Sequence, residues 1–543
     1  MAALRFPLVS RLCCVTLAAA ASAAGAQAAD LNLSGVNAYA SQEQVTSISQ
    51  FSDVKPTDWA YQALSNLVDR YGCVAGYPNG TFKGGQSMTR YEAAALLNAC
   101  LDRVTETTDE LKRLMKEFQK ELAVLRGRVD GLEARVGELE ANQFSTTTKL
   151  SGLATFVVGA NTFSGSAINL QANTVNRANT ATGAKRAPVP LPNGTSFNYD
   201  LQLTLDTSFS GNDLLRTNLR SGNFGRSVFG GEPHELSIAT LEVAFEEDAG
   251  PNVVGVDKLF YQFPIGGQFK ATVGARVGQE DMLALWPSVY PSDTILNVMT
   301  VNGAPAAYNK NLGSGAGLWW QNKGLSLSAN YVAANGDSSN PSVDVSKGGG
   351  GIGNINSGAT GSVQLGYQQP QWGLAAIWTY VQPETVFVPG TTPATHSSID
   401  HNLAARTNAI GLSGFWQPLK SGWLPSLSLG WGTNQTSYIN TKNVGQVLNS
   451  QSWMVGLQWT DLFAKGNDFG FAVAQPVSAK TMTGDINVNE GSYVLEWWYK
   501  FQLTDNITLT PALVYFSRPL GLQTPGGENF NQFGGLVKTS FRF

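Results

Sequence analysis

His234, His396 and His401 are the three histidines of the chain, and none stands in HExxH or another metal-ligand spacing. His396 and His401 could share an ion, but both lie in loop-like sequence where solvated side chains are the plainer reading. The run KGGGGIGNIN has neither a preceding strand nor a following GK[ST], so it reads as a loop and not as a phosphate cradle. No Ser/His/Asp set has supporting context. Catalysis has no visible seat, and neither a metal nor a cofactor is expected. The chemistry that remains is electrostatic, carried by charges at alternate positions.

In QFKATVGARVGQED the odd positions are apolar and the even ones carry Lys270 and Arg276. The same parity sets Glu496 and Lys500 opposite the aromatics of YVLEWWYKFQL, and Lys538 and Arg542 opposite Val537, Phe541 and Phe543 in LVKTSFRF. Strict alternation is the mark of strands with one apolar and one polar face. If the apolar face meets lipid, the charges must line a lumen, because Lys or Arg at the lipid midplane costs about 2–4 kcal/mol. Lys270, Arg276, Glu496, Lys500, Lys538 and Arg542 are therefore expected to line a pore. Glu280 and Asp281 join them at the head of a long aromatic, proline-stiffened segment through ALWPSVYPSDTI, which is expected to fold inward and narrow the pore.

The elements that must position these charges are strands of about ten residues, recurring in SFNYDLQLTLDTSF, LSLSANYVA, SLSLGWG, SWMVGLQWT and ITLTPALVY. Tryptophans sit near their ends, and short links (PIGG, NKG, AKGN, TDN) alternate with long ones (161–195, 278–312, 335–360, 382–405). Counting backwards from the C-terminus gives fourteen strands down to 237–246, plus 150–160 and 196–209, with 215–222 left over. The expected fold is an all-β transmembrane barrel of about 16 antiparallel strands, wide enough for a water-filled lumen. A soluble β-sandwich with its apolar faces turned inward is the competing architecture.

Charged residues make up 14% of the chain, and its net charge is −4, which excludes the basic footprint of a nucleic-acid binder. Residues 1–28 read as a secretory signal peptide, with Arg5 and Arg11 before a short Ala-rich run. Cys73 and Cys100 follow it; in an oxidising compartment they are candidates for a disulfide, with two buried thiols as the alternative. Over 104–145, Leu111, Met115, Phe118, Leu122, Leu125, Val129, Leu132, Val136 and Leu139 alternate by four and three. That is a coiled-coil seam, and Glu121–Arg126, Arg128–Glu133 and Arg135–Glu140 place opposite charges across a parallel homo-oligomer. The heptads alone leave dimer and trimer open.

Between signal and coil, FSDV, DWA, GYPNGTF and TRYEAAALLN stand in an order that resembles a surface-layer-homology (SLH) domain, over residues 49–103. The resemblance implies a small α-helical module that binds peptidoglycan or a linked polysaccharide, with Trp59, Tyr77, Asn79, Arg90 and Glu92 near the glycan. Asn79 and Tyr91 depart from the family's usual Asp and Ala. The order signal, SLH domain, coiled coil and barrel (148–543) resembles the cyanobacterial outer-membrane porins, grouped with carbohydrate-selective and iron-uptake porins. That resemblance implies a homotrimer in outer-membrane lipid, with the SLH and coiled-coil regions in the periplasm, and passive diffusion of small hydrophilic solutes, inorganic ions, carbohydrates or iron. The alternate aromatics Phe541 and Phe543 resemble the C-terminal signal read by the outer-membrane assembly machinery. Two alternatives remain at this point: a structural tether with a plugged barrel, and a secreted glycan hydrolase anchored by the SLH domain.

Overall fold

The computed structural model describes residues 47–58, 61–70, 72, 74, 81–82, 97, 116 and 147–543, apart from 292–294, 343–348, 384–387, 396–404, 421, 440–443, 485 and 489. The chain divides into two units, 1–142 and 143–543. In the first, α1 (Tyr61–Ser65) runs into a π-turn over Asn66–Arg70. Ile48, Phe51, Val68 and Val74 form its buried centre, with Leu64, Leu67 and Phe82 packed around them. The Asp69 carboxylate accepts from the Ile48 N–H at 3.2 Å, and Asp53 from the Phe82 N–H at 2.7 Å, so two acids pin separate segments to this core. Trp59, Tyr77, Asn79, Arg90, Glu92, Cys73 and Cys100 lie outside the described residues, as do the signal segment and the heptads.

The second unit is a closed barrel of sixteen long antiparallel strands. They are β1 (Thr148–Ser164), β2 (Ser196–Thr207), β3 (Leu214–Gly222), β4 (Gly255–Ile265), β5 (Phe269–Gly278) and β6 (Leu312–Asn322). Next come β7 (Leu325–Ala333), β8 (Ala359–Gln369), β9 (Trp372–Val381), β10 (Ala405–Trp416) and β11 (Ser426–Tyr438). The last are β12 (Val447–Thr460), β13 (Asp468–Met482), β14 (Tyr493–Thr504), β15 (Ile507–Ser517) and β16 (Asn531–Arg542). A two-residue strand, Ile486–Asn487, extends the edge beside β13. Each long strand pairs with its chain neighbours, and β16 closes on β1 from Leu153↔Arg542 to Ser164↔Asn531. Closure leaves no edge, which lipid would not tolerate.

The apolar face points outward: Leu365, Leu374, Val273, Leu412 and Leu513 are all exposed, while Ser328, Thr379, Ser428 and Ser452 on the opposite face are buried. That polarity belongs to a membrane barrel and excludes the sandwich. Turns at one end are short. Lys323 and Gly324 both adopt positive φ, as a two-residue I′ hairpin needs, and 505–506 is equally tight. Long connections occupy the other end. The barrel's first and last strands meet at the short-turn end, where Gly152 and Phe543 exchange backbone hydrogen bonds of 2.6 and 3.0 Å. The Phe543 ring lies where a Gly152 Cβ would point, and Phe541 meets Phe156 edge-on at 5.9 Å.

The strand count of sixteen agrees with the tally, but two members differ. Residues 214–222 form β3, whereas 237–246 is no long strand and folds inside the barrel, burying Leu236, Ile238, Leu241 and Val243. Two arginines in nine residues obscured β3 as a membrane strand. Both turn inward onto aspartates of β2, and 237–246 alternates because one of its faces meets a core. Strand lengths run from nine to seventeen residues, bracketing the roughly ten expected.

Candidate functional site

Two connections enter the lumen, 223–254 after β3 and 279–311 after β5. They join through a bridge at Leu241↔Leu296, with the Glu242 N–H donating to the Ile295 carbonyl at 2.8 Å. Lys310 Nζ donates to Glu242 at 2.6 Å and to Thr300 at 2.9 Å, tying the two at a second point. Phe224, Phe229, Leu236, Leu241, Ile295, Leu296 and Met299 then share one buried cluster with Val157, Val494, Trp498, Val514 and Leu536 of the wall. The lumen is thus partly an apolar core and not a uniform water channel.

The wall from β7 to β13 is shaped to receive 279–311. Gly411, Gly430, Gly432 and Gly456 face inward, and a Cβ on Gly430 would stand 1.7 Å from the Asn302 carbonyl oxygen. Between these glycines, small hydroxyls serve the segment's backbone. The Ala284 N–H donates to Ser328 and those of Val289 and Tyr290 to Ser428 at 3.0 Å, while Ser413 and Ser452 donate to the carbonyls of Asn302 and Gly303. Thr379 donates to the Ala307 carbonyl at 2.8 Å. A non-helical segment can lie at membrane depth because wall side chains satisfy its polar groups.

Glu496 faces inward as its parity predicts, but it lies buried beneath 279–311. It accepts from the Tyr290 hydroxyl at 2.6 Å and the Leu296 N–H at 3.0 Å, clamping the segment. Burial and the facing Glu496 push the Tyr290 phenol well above its ordinary range, so it acts as a donor.

The wall of β2–β4 differs. Arg220 forks onto Asp200 at 2.7 and 3.2 Å, and Arg216 onto Asp206 at 2.8 and 2.7 Å. Lys258 on β4 meets Glu280 at 2.8 Å and Asp281 at 2.6 Å, joining the head of the in-folded segment to the charged wall. Burial, with Glu280 alongside, raises the Asp281 carboxyl despite the opposing pull of Lys258. Asp206 and Arg216 keep about a third of their side-chain surface open, in contrast to the sealed small-residue wall.

Lys270 shares the inner face with Thr272 and Trp319, so Trp319 turns inward instead of standing in an outer girdle. Arg276 does not line the lumen. A bulge between Gly274 and Val277 sets Ala275 and Arg276 together on the outer side, opposite Ser314, with Arg276 in register with the exposed Leu259. The extra residue flips the parity on which the expectation rested. Lys500 pairs with Asp468, and Lys538, Arg542, Thr508, Thr510 and Pro291 line one cleft with them. Over the short-turn half, the described inward-facing strand residues include six bases, Lys149, Arg216, Lys270, Lys500, Lys538 and Arg542, against the acids Asp206 and Asp468. Asp200, Asp206, Arg216, Arg220 and Lys258 were not singled out from sequence, although the two aspartates fall on the polar face of SFNYDLQLTLDTSF. For all but Lys258 the signal was the near-mirror placement of opposite charges about the 208–213 turn, legible once 214–222 is read as a strand.

Comparison with known proteins places these features. A family model described as "Carbohydrate-selective porin, OprB family" matches residues 105–532, and one for the S-layer homology domain matches 50–94. An uncharacterized protein of Nostoc sp. is 34% identical over 541 residues, covering 92% of this chain and 86% of its own length. An uncharacterized protein of Synechocystis sp. is 29% identical, covering 92% and 91%. "Outer membrane protein SlpA" of Deinococcus radiodurans is 35% identical over 105 residues, 18% of this chain and 9% of its own. The Pseudomonas putida OprB structure superimposes with TM-score 0.46 at 12% identity, over 75% of this chain and 96% of that one.

Proposed function

The chain belongs to the carbohydrate-selective porin (OprB) family, and on that premise we propose that it is a passive diffusion channel for small hydrophilic solutes and inorganic ions. It resides in the outer membrane, with its SLH domain on the periplasmic side. The short-turn end, where β1 enters, is then the periplasmic one. The observation that carries the channel reading is the unequal exposure of the two inner walls. Solutes pass along β1–β5, beside Gln202, Thr204, Asp206 and Arg216, and not through the geometric centre. The in-folded segments set the width of this route, and the ion-paired wall sets its polarity.

Residues 104–145 would coil three chains together, and Trp59, Tyr77, Asn79, Arg90 and Glu92 would hold the wall polymer. Single-channel recording of the purified protein in a planar bilayer tests the channel. Discrete openings in KCl are expected, and a bilayer that stays at leak in the presence of inserted protein would contradict the reading. A second reading, a tether whose barrel is plugged, is favoured by the apolar core that 223–254 and 279–311 build inside the lumen. It predicts leak-level current from inserted barrels, so the same recording separates the two.

A further inference from the structure

We propose that Arg276 is an outward-facing clip for the headgroup of an outer-leaflet lipid, a phosphate-bearing amphiphile seated against β4 and β5. The proposal rests on the barrel's place in the outer membrane and not on the channel reading.

An arginine on the lipid side of a barrel is costly at the midplane and less so towards either interface. Arg276 stands on β5 seven residues beyond Phe269 and two before the strand ends at Gly278. At about 3.4 Å per residue and a tilt near 40°, that is about 18 Å above the short-turn end of the strand. The apolar band of such a barrel is about 25 Å tall, so Arg276 belongs to its outer third. Exposed apolar side chains flank it: Leu259 opposite on β4, Val256 further along that strand, and Val273 earlier on β5. The surface is continuous with the lipid-facing wall, and one fixed positive charge interrupts it.

Two neighbouring bulges build the clip. On β4 the pair Asn218↔Lys258 is followed by Leu219↔Val256, which leaves Asp257 without a partner on β3. The β4–β5 ladder starts only at Leu259↔Arg276, so Asp257 is unpaired on that side as well. On β5 the step from Gly274↔Gly315 to Val277↔Gly313 turns Arg276 out. It also returns Val277 to the inside, where it packs with Phe260, Met282 and Val332. The Asp257 carbonyl, left out of both ladders, accepts from Arg276 Nε at 3.1 Å. Asp257 lies two residues nearer the long-loop end than Leu259, so the side chain reaches up towards the headgroups.

That one bond fixes the plane of the guanidinium. The four N–H bonds of Nη1 and Nη2 have no protein acceptor among the described residues. Asp257 turns its own carboxylate to Arg220 at 4.0 Å. None of Glu247, Asp248 and Asp337, the acids described on the adjoining connections, makes an ion pair with Arg276. A planar fork held at Nε and open at both Nη groups matches two oxygens of a phosphate. Val277 explains why the strand bulges, but not why an arginine occupies the position turned out.

Native mass spectrometry of the full-length protein in a non-ionic detergent, titrated with phosphatidylglycerol, counts the lipid held by each chain. Wild type is expected to keep one phosphatidylglycerol after the others are stripped. Arg276→Gln should weaken that association roughly tenfold. Arg276→Lys, which keeps the charge and loses the fork, should fall between the two. Lys323→Gln removes an exposed charge at the opposite rim and should match wild type. Unchanged lipid affinity in Arg276→Gln, or equal weakening by Lys323→Gln, would overturn the site. Wild-type affinity in Arg276→Lys would overturn the fork even where the Gln variant does not fold. Inorganic phosphate that displaces the lipid at equal concentration would make this a free-anion site and overturn the lipid reading. An altered oligomeric state with lipid binding intact would assign Arg276 to a second copy of the chain and overturn it too.

Discussion

The two inner walls of this barrel solve the same problem, polar surface inside a membrane protein, by opposite means. From β7 to β13 the wall is largely glycine, serine, alanine and threonine, and it holds the backbone of 279–311 by hydrogen bonds and close glycine contacts. From β2 to β4 it carries charges paired across neighbouring strands, with Asp206 and Arg216 still partly open. One wall is a seat for a plug, and the other is a surface that can stay wet. A pore of sixteen strands can thus be narrow without any strand bending inward, because width is set by what is seated against the wall.

Breaking the charged wall should have the largest effect on stability. Arg220→Met leaves Asp200, whose side chain is fully buried, without its forked partner. A loss of about 3–5 kcal/mol is expected for orphaning a buried charge. It would be read as a lower temperature of heat modification on gels. Adding Asp200→Leu should recover much of it, whereas equal loss in single and double variants would show that packing dominates.

Breaking the small-residue wall should act more on the pore than on the barrel. Gly430→Val puts a side chain into the Asn302 carbonyl, an overpacking cost of about 1–3 kcal/mol that the segment can escape by leaving its seat. A larger single-channel conductance is expected, with the barrel still resistant to detergent. Unchanged conductance would detach 279–311 from the control of width.

The smallest effect concerns the long-loop end, where Glu490 accepts from the Thr391 hydroxyl and the Ala479 N–H, each at 2.6 Å, and from the Leu522 N–H at 3.2 Å. Burial raises its pKa, and those three hydrogen bonds oppose the shift. The raised folded value means the protonated acid favours the fold. Its contribution is full below the ordinary carboxylate range and is lost as pH rises through the raised value. Protection factors over 388–395 and 518–524, corrected for base-catalysed intrinsic exchange, should accordingly fall as pH rises, and Glu490→Gln should flatten that dependence. Protection factors that rise with pH would reverse the sign argued here.

Alternation made most of the barrel legible, because lipid on one side forces a period of two on every strand. It placed Lys270, Glu496, Lys500, Lys538 and Arg542 on the inner face and the seam at β1–β16. It failed where a third partner intervened. At Arg276 one bulged residue shifted the parity, which no period reveals in advance. At 237–246 an apolar face met a core inside the lumen and mimicked a strand. At β3 two arginines looked foreign to a membrane until the aspartates of β2 were set opposite them. The in-folding of 279–311 was suggested by its aromatics and prolines. Its seat was hidden, because glycines facing inward on β10, β11 and β12 gain meaning only when the strands are side by side.

The contrast between the walls is tested most directly by thiol accessibility in a cysteine-free background. Gln202→Cys on the charged wall and Ser428→Cys under the in-folded segment are exposed to a membrane-impermeant, charged thiol reagent during bilayer recording. The account predicts that Gln202→Cys reacts and loses conductance, while Ser428→Cys stays unmodified. Rapid reaction at position 428 with none at 202 would place the open route on the other wall and contradict it.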